Sequence, residues 1–387
     1  MISMMFTRKT MLMAILVLLG CLGAWATTTP DLEFLADLVA VRSFSRDVPA
    51  VNKAQRLMKA WLEKRGVACT LEVLPSGNEV LFAATLPGKV QDFVLAPHLD
   101  TVPAEDALYP MRREGDKLFG RGVHDCKGNA LAVAHVLVAL NGKASVGCIF
   151  GADEEIGGAT TRAMVERGYR PRKMVLVVDG GWNKIVYAQK GHTYFTVTAR
   201  GRGGHSSRPW QSDDQVSRLM LAYAKLRAAW DAKFPLPPDK WTDVLSATWV
   251  KGDGGAFNRI PDEASFVVNL RSVRPESADE AEAFIREVTG LEVVRGEDCK
   301  PCSSDPNHPL VKALQSAMRR AYPGEEITLG RMPAATDARC FHDCGVPVMV
   351  VGAQGGNAHA SDEWKSVSGI GKTADWMIDF IRDHSSP

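Results

Sequence analysis

Phe93-Val94-Leu95-Ala96-Pro97-His98-Leu99-Asp100 is a short apolar run, stopped by a proline and followed at once by an imidazole and a carboxylate. A strand with one face in water would alternate polar and apolar residues, so an unbroken apolar run of this length reads as a strand covered on both faces. Residues 146–150, 174–178 and 346–351 have the same character, and a helical stretch at 130–140 stands between the opening run and the first of them. The fold class that follows is α/β, a mostly parallel sheet covered by helices on both faces. Ligands of such sheets bind beyond the carboxyl ends of the strands. Those ends carry the polar residues here: His98 and Asp100, residues 153–155, Asp179, and residues 357–363.

Outward from that centre, Asp31 caps a helix that runs to Ala40, and Pro49 opens a longer one that Gly66 ends. Residues 71–74 and 80–85 read as paired strands. The middle of the chain changes character, with strands at 194–200, 245–251, 264–271 and 291–294 and helices at 213–230 and 278–288. The order β-α-β-β-α-β is that of a ferredoxin-like unit. The chain therefore divides into a catalytic domain in two parts, 27–190 and 304–387, and an inserted lid, 191–303.

The first 26 residues read as a signal peptide: Arg8 and Lys9, an apolar run at 11–22, then Ala24-Trp25-Ala26. The expected location is exported, periplasmic or secreted. Leu18-Leu19-Gly20-Cys21 also resembles a lipobox, which would instead leave a lipid anchor at Cys21 on a membrane. Lys+Arg 46 against Asp+Glu 45 in 387 residues gives no basic footprint, so no nucleic-acid partner is expected. Loss of Cys21 from the 8 cysteines leaves an odd set. Cys299-Lys300-Pro301-Cys302 has no second CxxC and is a poor structural zinc site. Cys340 and Cys344 stand at i,i+4 on an expected helix, and an oxidising compartment leads us to expect some pairing.

Singly, the polar segments are ordinary. Together, His98, Asp100, Asp125 (in Gly122-Val123-His124-Asp125-Cys126-Lys127-Gly128), Asp153-Glu154-Glu155, Asp179-Gly180-Gly181 and His359 bring imidazoles and carboxylates to one crevice. Converging carboxylates in a low-dielectric cleft repel one another and take up protons unless a cation neutralises them. A metal centre is the expectation.

This set resembles the zinc peptidases and deacylases that include aminoacylase, acetylornithine deacetylase, succinyl-diaminopimelate desuccinylase, glutamate carboxypeptidase G and peptidase T. The resemblance runs from about Asp31 to the C-terminus. It implies two Zn2+ per chain, with His98 and Asp179 on one, Glu155 and His359 on the other, and Asp125 bridging. It further implies Asp100 as the carboxylate that orients His98 and Glu154 as general base. In the lid, Gly203-Gly204-His205-Ser206-Ser207 matches a motif whose His reaches the substrate, often from the partner of a homodimer formed through the lid. Asn258, in Asn258-Arg259-Ile260-Pro261, is a weaker site candidate. Arg339, in Thr336-Asp337-Ala338-Arg339, matches a substrate-carboxylate ligand, and Gly355-Gly356 could present backbone N–H groups to the same carboxylate. The implied substrate is a small peptide or an N-acyl amino acid. Asp179 looks like the dipeptidase and aminopeptidase members, the His205 motif more like the deacylases.

His135, His124 and His192 read as structural. Cys126 stands where the resembled family commonly has another residue type. Neither a G-x-S-x-G elbow nor an HExxH motif is present. The rival of another class is a catalytically inactive binding module on the same fold, which metal content would distinguish.

Overall fold

The computed structural model describes residues 28–252 and 254–386, so the signal-peptide and Cys21 readings lie outside the described residues. Helix α1 (Leu32–Ala40) starts at Asp31, whose carboxylate accepts the Phe34 N–H, and α2 (Val48–Glu63) starts at Asp47 in the same way, with Pro49 in its first turn. Strands β1 (Ala68–Val73) and β2 (Glu79–Ala84) form an antiparallel pair. Then come β3 (Gln91–Ala96), α3 (Gly128–Leu140), β4 (Val146–Phe150), α4 (Ala159–Glu166) and β5 (Pro171–Val178). Strand β3 lies between β4 and β5 and is parallel to both.

The order β1-β2-β4-β3-β5 continues through Val348–Val351, Lys184–Gln189 and Cys302–Ser303. Of these, Lys184–Gln189 is β6, and Val348–Val351, at the far end of the chain, is parallel to β5 and starts only after Pro347. Phe93 and Leu95 of β3 pack into the core under α1, α3 and the C-terminal helix (Val367–His384). Val94 and Ala96 point to the other face, against Met164 and Val165 of α4 and Phe341. Alternate residues of one all-apolar strand thus feed two cores, which is why the run does not alternate in polarity.

The inserted unit forms its own antiparallel sheet from β7 (Gly191–Arg200), β8 (Val244–Lys251), β9 (Glu263–Ser272) and β10 (Glu292–Cys299), in the order β8-β9-β7-β10. Helices α5 (Gln215–Lys233) and α6 (Ser277–Thr289) share its core through Leu226, Trp230 and Ile285. This is the ferredoxin-like order read from the sequence.

Some local expectations change. Among the described residues every cysteine is unpaired. Cys340 lies in a short 3-10 turn, Asp337–Phe341, rather than sharing a helix with Cys344. Strands β6 and Thr328–Met332 were not legible, because they pair at the rim of the large sheet and mix polar with apolar residues.

Candidate metal centre

Three neighbouring strands deliver the centre. His98 follows β3 by one turn of chain, Asp179 directly follows β5, and the short turn Glu154–Ile156 follows β4. Asp125 comes from an irregular turn, Val123–Lys127, that leads into α3. His359 sits in the loop after Val348–Val351. There Asn357 and His359 adopt φ of 59° and 66°, a left-handed conformation that non-glycine residues hold only when their surroundings require it.

The distances bring these residues together. Nε2 of His98 lies 2.9 Å from Oδ1 of Asp125 and 3.7 Å from Oδ1 of Asp179. Nε2 of His359 lies 3.2 Å from Oδ2 of Asp125 and 3.1 Å from Oε2 of Glu155. The two oxygens of Asp125 therefore face different imidazoles. On the far side of the His98 ring, Nδ1 is 3.0 Å from the Asp100 carbonyl oxygen and 3.3 Å from its Oδ1. The Asp100 carboxylate also accepts the Glu154 and Glu155 N–H groups and the Ser45 hydroxyl. It ties the His98 strand end to the Glu154–Ile156 turn.

Charge in this crevice is unbalanced toward the negative. Burial, then the charge of Asp125, pushes the Asp179 carboxyl up to about 6. Burial, then Asp179, holds the Glu154 carboxyl well above the usual range. His359, hydrogen-bonded by Asp125 and Glu155, is raised to about 10. Oε1 of Glu155 is buried with no partner, a costly state for a carboxylate oxygen. One donor atom each from His98, Asp125 and Glu155 falls within 4.8 Å of the others. Imidazole and carboxylate donors at such spacing, with an orphaned oxygen among them, fit a divalent metal.

The supporting shell holds residues not singled out by the sequence reading. Glu363 accepts the N–H groups of His124 and Asp125 at 2.9 and 3.1 Å through Oε1. Its Oε2 takes a 2.6 Å bond from Arg121, and both side chains are buried. Arg121 also donates to the His359 carbonyl at 2.9 Å. One buried ion pair thus brackets the backbones of Asp125 and His359. Lys365 is buried too, with Nζ 3.2 Å from Nδ1 of His124, so the His124 ring turns to Lys365. The only local signal for this shell was Glu363 at the edge of a polar segment, since the contacts span more than two hundred residues of chain. Cys126 is fully buried, its thiol donates to the Val178 carbonyl at 3.0 Å, and burial pushes its titration up. It packs as a thiol.

Arg339 is 4% exposed, with a guanidinium nitrogen 4.0 Å from Oε1 of Glu154 and 3.8 Å from Asp337. It lines a cavity of about 370 Å³ together with Glu154, Glu155, Arg46, His192 and Arg271. Gly355 and Gly356 pair with Trp364–Ser366 beside the His359 loop, and a Cβ at Gly355 would stand 2.5 Å from Nδ1 of His124. Close packing alone thus requires glycine at 355. His205 and Asn258 are not brought to this cavity. They occupy a two-stranded ribbon, Gly204–His205 with Arg259–Ile260, where exposed His205 contacts Ser207 and the Asn258 carbonyl accepts the Ser206 N–H.

Residues 94–383 match the peptidase family M20/M25/M40. The chain belongs to that family. A probable succinyl-diaminopimelate desuccinylase of Staphylococcus aureus is 25% identical over 352 residues, covering 80% of this chain and 85% of that protein. The structure of the aminopeptidase PepT from Bacillus cereus superposes with a TM-score of 0.74 at 18% identity, over 91% of this chain and 96% of the other. A dinuclear metal-binding M20 peptidase from Bacillus subtilis gives 0.65 at 15% identity, over 91% and 99%. As an M20 member the protein is a metal-dependent hydrolase.

The bracket formed by Glu363 has a measurable consequence. Glu363→Gln should leave the far-UV spectrum unchanged and weaken metal binding by roughly 10–100-fold, the usual effect of removing a carboxylate that supports a metal ligand. Competition against a chromophoric chelator measures this, and unchanged affinity would remove Glu363 from the support of the centre.

Proposed function

We propose that this M20 enzyme is a two-zinc peptidase that hydrolyses dipeptides or N-terminal aminoacyl bonds. The observation that carries the reading is the split of Asp125, with one oxygen toward His98, which also nears Asp179, and the other toward His359, which also nears Glu155. On this reading His98 and Asp179 hold one Zn2+, Glu155 and His359 the other, and Asp125 both. The Bacillus subtilis neighbour, a dinuclear metal-binding peptidase, supports the count.

The chemistry that the ions supply when bound is Lewis acidity toward the scissile carbonyl and the attacking water. Glu154 accepts the water's proton at its carboxylate and returns it to the leaving nitrogen. Asp100 keeps the His98 ring in one orientation and fixes the turn that aims Glu154. The Arg339 guanidinium stands against Glu154 and, with Arg46 and Arg271, gives the cavity wall a positive side suited to a substrate carboxylate. Gly355-Gly356, beside His359, remain candidates for the same carboxylate through their backbone.

We further propose that the chain is exported by residues 1–26, with a lipid anchor at Cys21 as the alternative, and that it dimerises through the lid. Strand β8 lies at the edge of its sheet and exposes Trp249 and Val250 beside exposed Met220 of α5. Such an apolar edge asks for a partner. A dimer would also give His205 and Asn258 a site to reach.

The second reading, an N-acyl amino acid deacylase, is favoured by the desuccinylase name of the Staphylococcus aureus relative. Asp179 separates the two. Its short arm leaves an anionic oxygen beside the metal where a substrate's free amino group would lie. Unblocked dipeptides should therefore be cleaved about tenfold or more faster in kcat/KM than N-acetyl amino acids of the same side chain, about 1.4 kcal/mol in the transition state. A clear preference for the acetylated compound would replace the peptidase reading with the deacylase. Independently, Glu154→Gln should retain its metals and lose about three decades or more in kcat. Turnover near wild type in the metal-replete variant would rule out Glu154 as base.

A further inference from the structure

Strands β7 and β10 are register partners at His192 and Cys299. Side chains opposite each other in a ladder share a face, and a residue two positions along the strand joins them. That position is Glu297, which lies in the bulge between Arg295 and Asp298 and still reaches both side chains. Nε2 of His192 lies 3.3 Å from Oε1 of Glu297, and the same oxygen lies 3.6 Å from Sγ of Cys299. One donor atom from each of the three falls within 4.8 Å of the other two.

Those separations have a meaning. In a tetrahedral site with bonds of about 2.0–2.1 Å to nitrogen and oxygen and about 2.3 Å to sulfur, adjacent ligands stand about 3.3 Å apart for N and O and about 3.6 Å for O and S. The two distances at Oε1 of Glu297 match two edges of such a tetrahedron. His192 is 8% exposed and Cys299 2%. Nδ1 of His192 is buried without a partner, while Nε2 faces Oε1 of Glu297. Across the seam, a Cβ on Gly157 would come 2.9 Å from Oε1 of Glu297, so this carboxylate closes on the turn that carries Glu154 and Glu155.

We propose that His192, Glu297 and Cys299 form a second site for a thiophilic divalent cation, Zn2+ by its donor set, at the seam between the inserted sheet and the catalytic domain, in the wall of the cavity that Glu154 and Arg339 also line. Binding breaks the Cys299 S–H bond and releases its proton to solvent, forms a sulfur–metal bond, and uses the lone pair of neutral His192 Nε2 and one carboxylate oxygen. No electrons change hands. Water completes the fourth position. The opposing charges are Arg339 and Arg271, which face His192, and Arg162, whose guanidinium lies 3.7 Å from Sγ of Cys299 and must give way. That competition makes the site weaker than the Asp125 centre, which suits an exchangeable ion rather than a structural one.

Sulfur ligation distinguishes this site from the nitrogen and oxygen donors of the Asp125 centre. Reduced, metal-free protein titrated with Co2+ should develop the near-ultraviolet thiolate-to-cobalt charge-transfer band after the first centre has filled. Cys299→Ser should abolish the band, His192→Ala should shift its onset to about tenfold or more higher Co2+, and Cys126→Ser should leave it in place. The Cys126 variant keeps the test decisive should Cys299→Ser not fold. A wild-type titration without the band, a band that survives in Cys299→Ser, or one lost in Cys126→Ser would overturn the proposal.

Discussion

Asp100, Asp125, Glu154, Glu155 and Asp179 converge with two imidazoles where β3, β4 and β5 end, and like charges so close repel strongly. At an effective dielectric of about 20, two unit charges 4 Å apart interact by about 4 kcal/mol. Without cations the crevice can only borrow protons, and its electrostatics show that: Asp179 and Glu154 hold theirs to unusually high pH, and His359 stays protonated between Asp125 and Glu155. A charge deficit built into the interior is a binding site for metal. The rest of the architecture serves to keep those groups from relaxing apart.

The parallel arrangement of the sheet does the first part of that work. Because β4, β3 and β5 are parallel neighbours, their carboxyl ends lie side by side, and one short connection after each suffices to place Glu154, His98 and Asp179. Residues from remote parts of the chain need a different fastening. Asp125 and His359, more than two hundred residues apart, are held by the buried Arg121–Glu363 pair, which binds the backbone of both. Such a pair is a weak source of net stability. Its value lies in fixing one geometry.

Much of this was legible in the residues, for local reasons. The all-apolar runs, the cap at Asp31, Pro49 at the next helix start and the strand–helix order of the inserted unit each follow from short-range rules, and the polar residues at strand ends marked the crevice. What was not legible depends on pairing across the chain. Strand β6 joins the sheet between distant partners, and Glu363, Arg121 and Lys365 look like surface charges until folding buries them. His192 read as a structural hinge residue because its register partner Cys299 is more than one hundred positions away. The lid residues His205 and Asn258 show the converse: a motif can be read from sequence while one chain alone does not bring it to the site.

The claim on which the account stands is that one carboxylate, Asp125, bridges two ions. Anomalous scattering at the zinc edge from zinc-loaded crystals tests it most directly. The account predicts two peaks flanking Asp125, one shared with His98 and Asp179 and the other with Glu155 and His359. A single peak at this carboxylate, or zinc bound without it, would contradict the account.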